Sequence, residues 1–447
     1  MPAPRRLGAL AHSPTLRFTL PVMLENTLTI FIGLVFSRII STISGSALAA
    51  IGMANTVMAV IFSLFSMVTT GAAVLVSRQI GAGEGAAAAD TIEQGGFLSL
   101  ACSAGMTALC LLTAQPLLRL LMPTAEDQLF SEALRYYDML MLSLPAYVLH
   151  GMLSSAARST GDSRSPMAVA LLMNLSQIAF AYLFIDVLPL QEVGAGLSYV
   201  CCRLVGAGLM LGALVRDHRF FVLRLRNMLR PRGATVRRIL RLGLPVSAES
   251  LFVQVGYMLA NSMSISLGTF ESSVYQVMNT LNTFLTLPQG ICSTVGLSAV
   301  GRLLGAKTYR AAKRTGRWIW LAGIGATLLL SAIVLVFRVP LAGVYTSNPL
   351  EVESAASLMW ILLVMDVAGV SINAIDAQLR AGGDVRYVMV VTLTAVWLIR
   401  LPLTYLFCFV WDWGVLGIYL ANTISLYYRA ILGLVRHGGQ RWMTRRV

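Results

Sequence analysis

The chain has 447 residues, of which 57% are hydrophobic and only 12% are charged, and its mean hydropathy is +0.74. A soluble globular domain carries about 25% charged residues, so this composition excludes an ordinary soluble protein. The net charge is +14, but the basic residues lie between apolar runs, an arrangement that argues against a nucleic-acid-binding protein.

Apolar runs long enough to cross a bilayer follow one another along almost the whole chain. A spanning helix needs about 20 apolar residues, because the hydrocarbon layer is roughly 30 Å thick. The pattern predicts an all-α integral membrane protein embedded in a lipid bilayer. In chain order, we expect twelve spans at 18–41, 47–77, 93–117, 133–157, 166–187, 193–215, 242–266, 273–301, 317–337, 354–378, 387–411 and 413–435.

The basic residues define an orientation for these spans. Most of the 34 fall on one side of the twelve-span arrangement, and nine arginines lie between Arg216 and Arg241 alone. The opposite side carries mainly acidic residues. The positive-inside rule therefore predicts that both termini are cytoplasmic and that the chain lies in the plasma (inner) membrane.

The second half of the chain repeats the first. Leu20-Pro21-Val22 with Glu25 returns 224 residues later as Leu244-Pro245-Val246 with Glu249. The stretch 78–82 returns as 302–306, and the stretch 156–162 returns as 378–384. Because each copy holds an even number of spans, both enter the bilayer from the same side, as a pseudo-twofold parallel repeat of two six-helix bundles. The predicted divisions are an N-terminal lobe (1–215), a basic cytoplasmic connector (216–241) and a C-terminal lobe (242–447).

The repeated stretches carry a family resemblance, together with Ala47-Leu48-Ala49-Ala50, Gly52 and the segment from Thr70 to Gly83. In them the chain resembles the multidrug and toxic compound extrusion (MATE) family of antiporters, within the MOP flippase superfamily. The resemblance implies two lobes with alternating access, a proton or sodium gradient as the driving force, and organic cations as substrates. Many members carry an Asp-Thr pair late in the first span. This chain has Phe36-Ser37-Arg38-Ile39 there, so coupling that depends on that aspartate does not carry over.

Charged side chains at membrane depth are costly, so each one is a functional candidate. Glu249 follows Pro245 by one turn of the seventh span, and Glu25 has the equivalent place in the first. A buried carboxylate can hold a proton or a cation but not both well, which is the simplest physical basis for exchange. At one turn of depth, however, either glutamate can instead pair or cap near the cytoplasmic end.

Asp366 lies mid-span in the tenth helix and Arg400 mid-span in the eleventh. These two residues can form a structural salt bridge. If Asp366 is instead unpaired, it becomes the best ligand in the chain for a proton or for Na⁺. We expect the remaining charged residues at membrane depth to act as ion-pair partners: Arg38, Asp138 and Arg203.

A polar stripe marks the eighth span. Gln276, Asn279 and Asn282 recur at the helical spacing, and Gln289 follows Pro288. Such a face either lines a wet cavity or joins two helices through hydrogen bonds.

The sequence shows no nucleotide-binding motif, no metal site and no nucleophile–base set, so we expect a monomeric transporter without a cofactor rather than an enzyme. The leading hypothesis is a secondary active exporter that exchanges H⁺ or Na⁺ for small organic cations. The alternative is a flippase for a lipid-linked saccharide, whose anionic headgroup would use the basic residues Arg38, Arg203 and Arg400.

Overall fold

The structure is a computed structural model that describes residues 14–40, 45–121, 127–216, 222–440 and 442–443. Nearly all of these residues are helical, and the described ranges contain no strand. The all-α prediction is confirmed.

The helices of the first half follow the predicted spans in order. They are α1 (Pro14–Ile40), α2 (Gly45–Gly81), α3 (Gly85–Leu112), α4 (Ala114–Leu121), α5 (Asp127–Leu142), α6 (Leu144–Thr160), α7 (Arg164–Ala181, continued by the π-helical segment Tyr182–Val187) and α8 (Gln191–Arg216).

The second half has the same order of long helices. They are α9 (Gly233–Ser266), α10 (Thr269–Leu285), α11 (Leu287–Gly305), α12 (Tyr309–Val336), α13 (Arg338–Gly343), α14 (Pro349–Leu358), α15 (Trp360–Ala381), α16 (Val385–Leu393), α17 (Leu401–Tyr405) and α18 (Gly414–Gly438). Two π-helical segments, Thr394–Arg400 and Leu406–Val410, join α16 and α17 into one rod that continues to Val410.

Ten of these rods are long and apolar enough to cross a membrane. The pair α5 and α6 supplies another span, bent by 42° at Ser143, and α1 adds a 27-residue helix. The twelve-helix prediction is therefore confirmed.

Three predicted spans are broken rather than continuous. The breaks fall at Ser143, Thr286 and Met359. Pro145 and Pro288 stand at the second position of the helix that follows the first two breaks. Proline has no N–H to donate and its ring displaces the carbonyl one turn earlier, so a helix ends before it and a new one begins. No proline accompanies the break at Met359.

The chain divides into two compact units, Met1–Leu244 and Pro245–Val447, and the division falls inside α9. Each unit has its own apolar core. The core of the first includes Met58, Phe65 and Leu144, and that of the second includes Leu281, Met365 and Tyr419. The lobe boundaries predicted at 215 and 242 stay a prediction.

The sequence repeat is also a repeat of local structure. α6 ends at Gly161, whose φ of 101° suits a residue without a side chain, and α15 ends in a turn with Gly383 at a φ of 80°. In both turns the amide of the following aspartate donates to the carbonyl five residues earlier: Asp162 to Ala157 at 3.1 Å and Asp384 to Leu379 at 2.9 Å. This glycine-centred motif satisfies the last carbonyls of each helix.

Part of the predicted connector is held against α3. Glu93 accepts hydrogen bonds from the Arg224 amide at 2.7 Å and from the Asn227 side chain at 2.8 Å. The buried Gln94 accepts from the Arg232 amide and donates to the Arg230 carbonyl. These bonds satisfy the connector's backbone, so residues 224–232 form a fixed segment of the first unit. Residues 217–221 of the predicted connector lie outside the described ranges.

Candidate functional site

Asp366 is the most enclosed of the predicted coupling residues. α15 places its carboxylate in the interior of the second unit, where the residue is 1% exposed. Asn282 donates from its amide nitrogen to both carboxylate oxygens at 3.2 Å, and Gln289 donates to one of them at 2.9 Å. The two amides come from α10 and α11, on either side of the break at Thr286.

A second layer holds these amides in place. Asn373, two turns after Asp366 on α15, donates from its side chain to Gln289 at 3.1 Å. Gly369 lies between them, and a β-carbon there would come within 2.7 Å of the Gln289 amide nitrogen. The glycine therefore makes the room that lets Gln289 reach Asp366.

The Asp366 carboxylate has polar neighbours but no cation. Among the residues that the structure describes, none of the arginines, lysines or histidines forms an ion pair with it. An ionised carboxylate in such a place is costly unless a cation compensates it. The site can therefore take a proton, or a small cation that the carboxylate and rotated amide oxygens would ligate.

Arg400 does not form the predicted salt bridge with Asp366 in the described part of the chain. Its guanidinium carbon lies instead 4.3 Å from the centroid of the Tyr257 ring. The reason is local: Arg400 ends a π-helical segment, whose extra residue changes the direction in which the side chain leaves the helix. Of the two alternatives for Asp366, the unpaired one describes the structure.

Glu25 is paired with an arginine. Arg158 donates to its two carboxylate oxygens at 3.0 and 3.2 Å. Arg158 stands in the last turn of α6, three residues before the glycine turn at Gly161, so the turn motif fixes where its side chain begins.

Glu249 has the corresponding pair in the second unit, with more partners. Arg380, three residues before Gly383, donates to Glu249 at 2.8 Å, and Thr392 donates at 2.9 Å. Arg429 lies 3.5 Å from the same carboxylate and 3.1 Å from Asp376. Both predicted glutamates thus pair near the ends of their helices, which is the alternative that the sequence left open.

The polar stripe divides into two parts. Asn282 and Gln289 belong to the Asp366 site, whereas Gln276 and Asn279 are exposed on the surface of α10. Gln276 donates to the Asn261 side chain of α9 at 2.9 Å. Helix joining and a wet face, the two alternatives for the stripe, thus each fit a different half of it.

The predicted ion-pair partners in the first unit stay apart. Arg203 lies 4.7 Å from the centroid of the Tyr147 ring, and within the described residues it forms no ion pair with Asp138. Arg38 lies in α1, but its side chain falls outside the described side chains.

Comparison with known proteins decides the family. The family model MatE matches residues 21–183 and 245–406, one match in each half of the chain. The chain belongs to the MatE family. Because two matches of nearly equal length cover most of the sequence, they also agree with the internal repeat.

Relatives of this MatE chain match it along its length. The probable multidrug resistance protein NorM of Thermotoga maritima is 23% identical over 436 residues, covering 97% of this chain and 93% of the relative. The uncharacterized transporter YisQ of Bacillus subtilis is 26% identical over 440 residues, covering 96% and 94%. A solved multidrug resistance MATE family transporter in an outward-facing conformation has the same fold, with a TM-score of 0.87, 20% identity and coverage of 97% and 96%.

A MatE protein is a multi-pass membrane transporter and not an enzyme, as the sequence predicted. Among the described residues of this MatE chain, no three His, Cys, Asp or Glu side chains cluster as a metal site would require. One apolar groove, with a volume of about 300 Å³, lies between α9 and the rod of α16, lined by Phe252, Leu393, Thr394, Trp397 and Leu398. It contains no charged side chain and is separate from Asp366.

Sequence reasoning missed several partners in this MatE chain. Arg158 and Arg380 were visible as repeated residues of the glycine turns but were assigned to loops. Asn373 carried no signal of its own, because an amide inside an apolar helix becomes meaningful only when its partner Gln289, 84 residues away, is known.

Proposed function

We propose that the chain is a secondary active exporter that exchanges H⁺ or Na⁺ for small organic cations by alternating access. Two findings support this proposal. The chain belongs to a transporter family, and its relatives from several bacteria are named multidrug resistance proteins. The observation that carries the mechanism is the buried, cation-free Asp366.

Asp366 is the coupling residue in this proposal. While its carboxylate is empty, the buried charge is uncompensated, and a proton or Na⁺ from the outside relieves that cost. Occupancy of Asp366 then biases the choice between the two orientations of the transporter, since a ligand shifts an equilibrium by its difference in affinity for the two states. Substrate and coupling ion need not touch, provided that each favours a different orientation.

Glu25 and Glu249 receive a different role. Each already has an arginine partner, so neither needs a transported cation to compensate its charge. We infer that both fasten the ends of their helices and keep each unit rigid while the transporter changes orientation. The exposed Gln276 and Asn279 line the aqueous route, because amides are poorly suited to a lipid-facing surface.

The orientation in the membrane follows from the charge distribution. Both termini would be cytoplasmic and the chain would lie in the inner membrane of the cell as a monomer. Residues 1–13 and 444–447, which contain both termini, lie outside the described ranges.

The test uses purified protein in liposomes with either a pH gradient or a Na⁺ gradient imposed alone, and ethidium as the organic cation. Wild-type protein should move ethidium against its concentration under one of the two gradients. Asp366→Asn should abolish this movement under both, while the protein reaches the bilayer in normal amount. Asp138→Asn is the matched control, since it removes another carboxylate at membrane depth and should leave the movement unchanged. Normal gradient-driven transport by Asp366→Asn would remove Asp366 from the mechanism.

The flippase alternative is distinguished in the same liposomes. A fluorescent lipid-linked saccharide placed in one leaflet should stay there if the exporter assignment is right. Transfer of that lipid by a protein that does not move ethidium would favour the flippase.

A further inference from the structure

Arg400 is a buried cation that has no anionic partner. The residue is 3% exposed, and its Nε has no hydrogen-bond partner. Within the described part of the chain, its guanidinium takes part in no hydrogen bond or ion pair, and its one close contact is the face of Tyr257. Arginine has five N–H donors and stays charged inside a protein.

A tyrosine ring compensates such a charge poorly. A cation over an aromatic face gains about 0.5–2 kcal/mol, and the ring accepts no strong hydrogen bond. An isolated buried charge costs several kcal/mol, and removing it from water is justified only when a partner binds it. The donors of Arg400 are therefore available for a ligand that the chain itself does not supply.

The route to Arg400 runs past a polar surface. Tyr257 is 44% exposed, so it separates the buried guanidinium from the outer face of α9. Asn261 lies one helical turn after Tyr257 on the same face and accepts the hydrogen bond from Gln276. An exposed aromatic ring beside two amides is suited to a water-filled route and not to lipid. A rotation of the Tyr257 side chain would open the guanidinium to this face.

We propose that Arg400 binds an anionic group of the transported molecule, so that the substrates include aromatic zwitterions that carry a carboxylate. The planar guanidinium matches a carboxylate in a two-pronged hydrogen-bonded pair, which is the strong form of this interaction. Tyr257 supplies a flat surface on which an aromatic body can stack next to that carboxylate. This inference rests on the proposed export function and adds a substrate class to it.

Asp366 does not compete for the guanidinium, because its oxygens accept from Asn282 and Gln289. The two charges lie in one unit, and the Tyr419 hydroxyl is within electrostatic range of both. Arg400 and Asp366 therefore divide the work: the arginine recognises an anionic part of the substrate, and the aspartate responds to the ion gradient.

The test compares rhodamine B, a zwitterion with a free carboxylate, with its ethyl ester, which has the same ring system and no carboxylate. Equilibrium binding to purified full-length protein in detergent is measured by fluorescence polarisation, with no gradient present. A charge-assisted hydrogen bond contributes about 1.5–3 kcal/mol, which is about a 10- to 150-fold change in Kd. Arg400→Met should weaken rhodamine B binding by at least the lower of these factors and leave binding of the ester within about twofold. Arg400→Lys should retain part of the preference, since it keeps the charge but loses the planar pair.

Arg203→Met is the matched control, because Arg203 also lies over a tyrosine ring, in the other unit. It should leave the affinity ratio of the two dyes unchanged. Loss of both dyes together in Arg400→Met, or loss of neither, overturns the proposal. A change of the ratio in Arg203→Met alone would place the carboxylate site in the first unit and overturn it as well.

Protein folding and the proposed export function are checked separately. Arg400→Met removes an unpartnered buried charge, so its thermal unfolding midpoint should not fall below that of the wild type. Asp366→Asn should keep the binding preference for rhodamine B even though it abolishes gradient-driven transport. Failure of the transport test therefore leaves the binding test interpretable, and failure of the binding test leaves the exporter intact.

Discussion

Neutralising Glu249 should destabilise the protein much more than neutralising Glu25. The two residues occupy repeated positions and both pair with an arginine, but their surroundings differ. The Glu249 side chain is 5% exposed and that of Glu25 is 17% exposed. Glu249 also accepts from Thr392 and lies beside Arg429, whereas the described partner of Glu25 is Arg158 alone.

The size of the difference follows from burial. Breaking a buried ion pair costs about 3–5 kcal/mol when the remaining charge has no other partner. In Glu249→Gln, Arg429 keeps Asp376, and the new amide can still accept from Thr392, so we expect a loss near the lower limit, about 3 kcal/mol. The Glu25 pair is closer to the surface, where such pairs contribute about 0–1 kcal/mol. The two variants should therefore differ by roughly 2 kcal/mol.

The assay is thermal or chemical unfolding of the purified variants in detergent, with Glu249→Gln, Glu25→Gln and the wild type side by side. The double variant Glu249→Gln with Arg380→Gln should lose less than the sum of the two single variants, because neither partner is then left charged without the other. Equal losses in the two single variants would refute the reasoning from burial. If folded Glu249→Gln lost all gradient-driven ethidium transport, Glu249 would return as a coupling residue.

Two further predictions concern the supports of the site and of the connector. Gly369→Ala should displace Gln289 from Asp366, because the added methyl group would meet the Gln289 amide; gradient-driven ethidium transport should fall, while Gly325→Ala, whose methyl group meets nothing within 4 Å, should transport normally. An unchanged rate in Gly369→Ala would mean that the Gln289 contact is dispensable. Glu93→Gln should loosen the connector, since a neutral amide accepts more weakly from the Arg224 amide; limited trypsin digestion should then cut faster at residues 224–232, and an unaltered cleavage rate would argue against a fixed connector.

The helices were predictable from the sequence because the apolar runs are long. Their breaks were less so: Pro288 indicates a break at Thr286, but the break at Met359 has no proline beside it. Near the site, Asp366, Asn282 and Gln289 were each identified as candidates, yet the sequence could not show that they meet. They are separated by 77–84 residues along the chain, and only the packing of α15 against α10 and α11 brings the amides to the carboxylate.

The paired glutamates show why repeated residues need not be the functional ones. The Glu–Arg pair occurs in both units, Glu25 with Arg158 and Glu249 with Arg380, because both units contain the same glycine turn that has to be fastened. A feature required by the shared architecture is expected in both copies. The repetition that first drew attention to the glutamates therefore favours a structural role for them.

The Asp366 site, in contrast, occurs in one unit only. At the repeat intervals of 222 and 224 residues, the positions of Asp366, Asn282 and Gln289 correspond to Leu144, Met58 and Phe65. All three are buried in the apolar core of the first unit. Ordinary packing thus suffices at these places in the architecture, and it is more favourable than an uncompensated carboxylate. The second unit bears the cost of a buried acid where the first avoids it, and an exchanger that binds an ion there gives that cost a use.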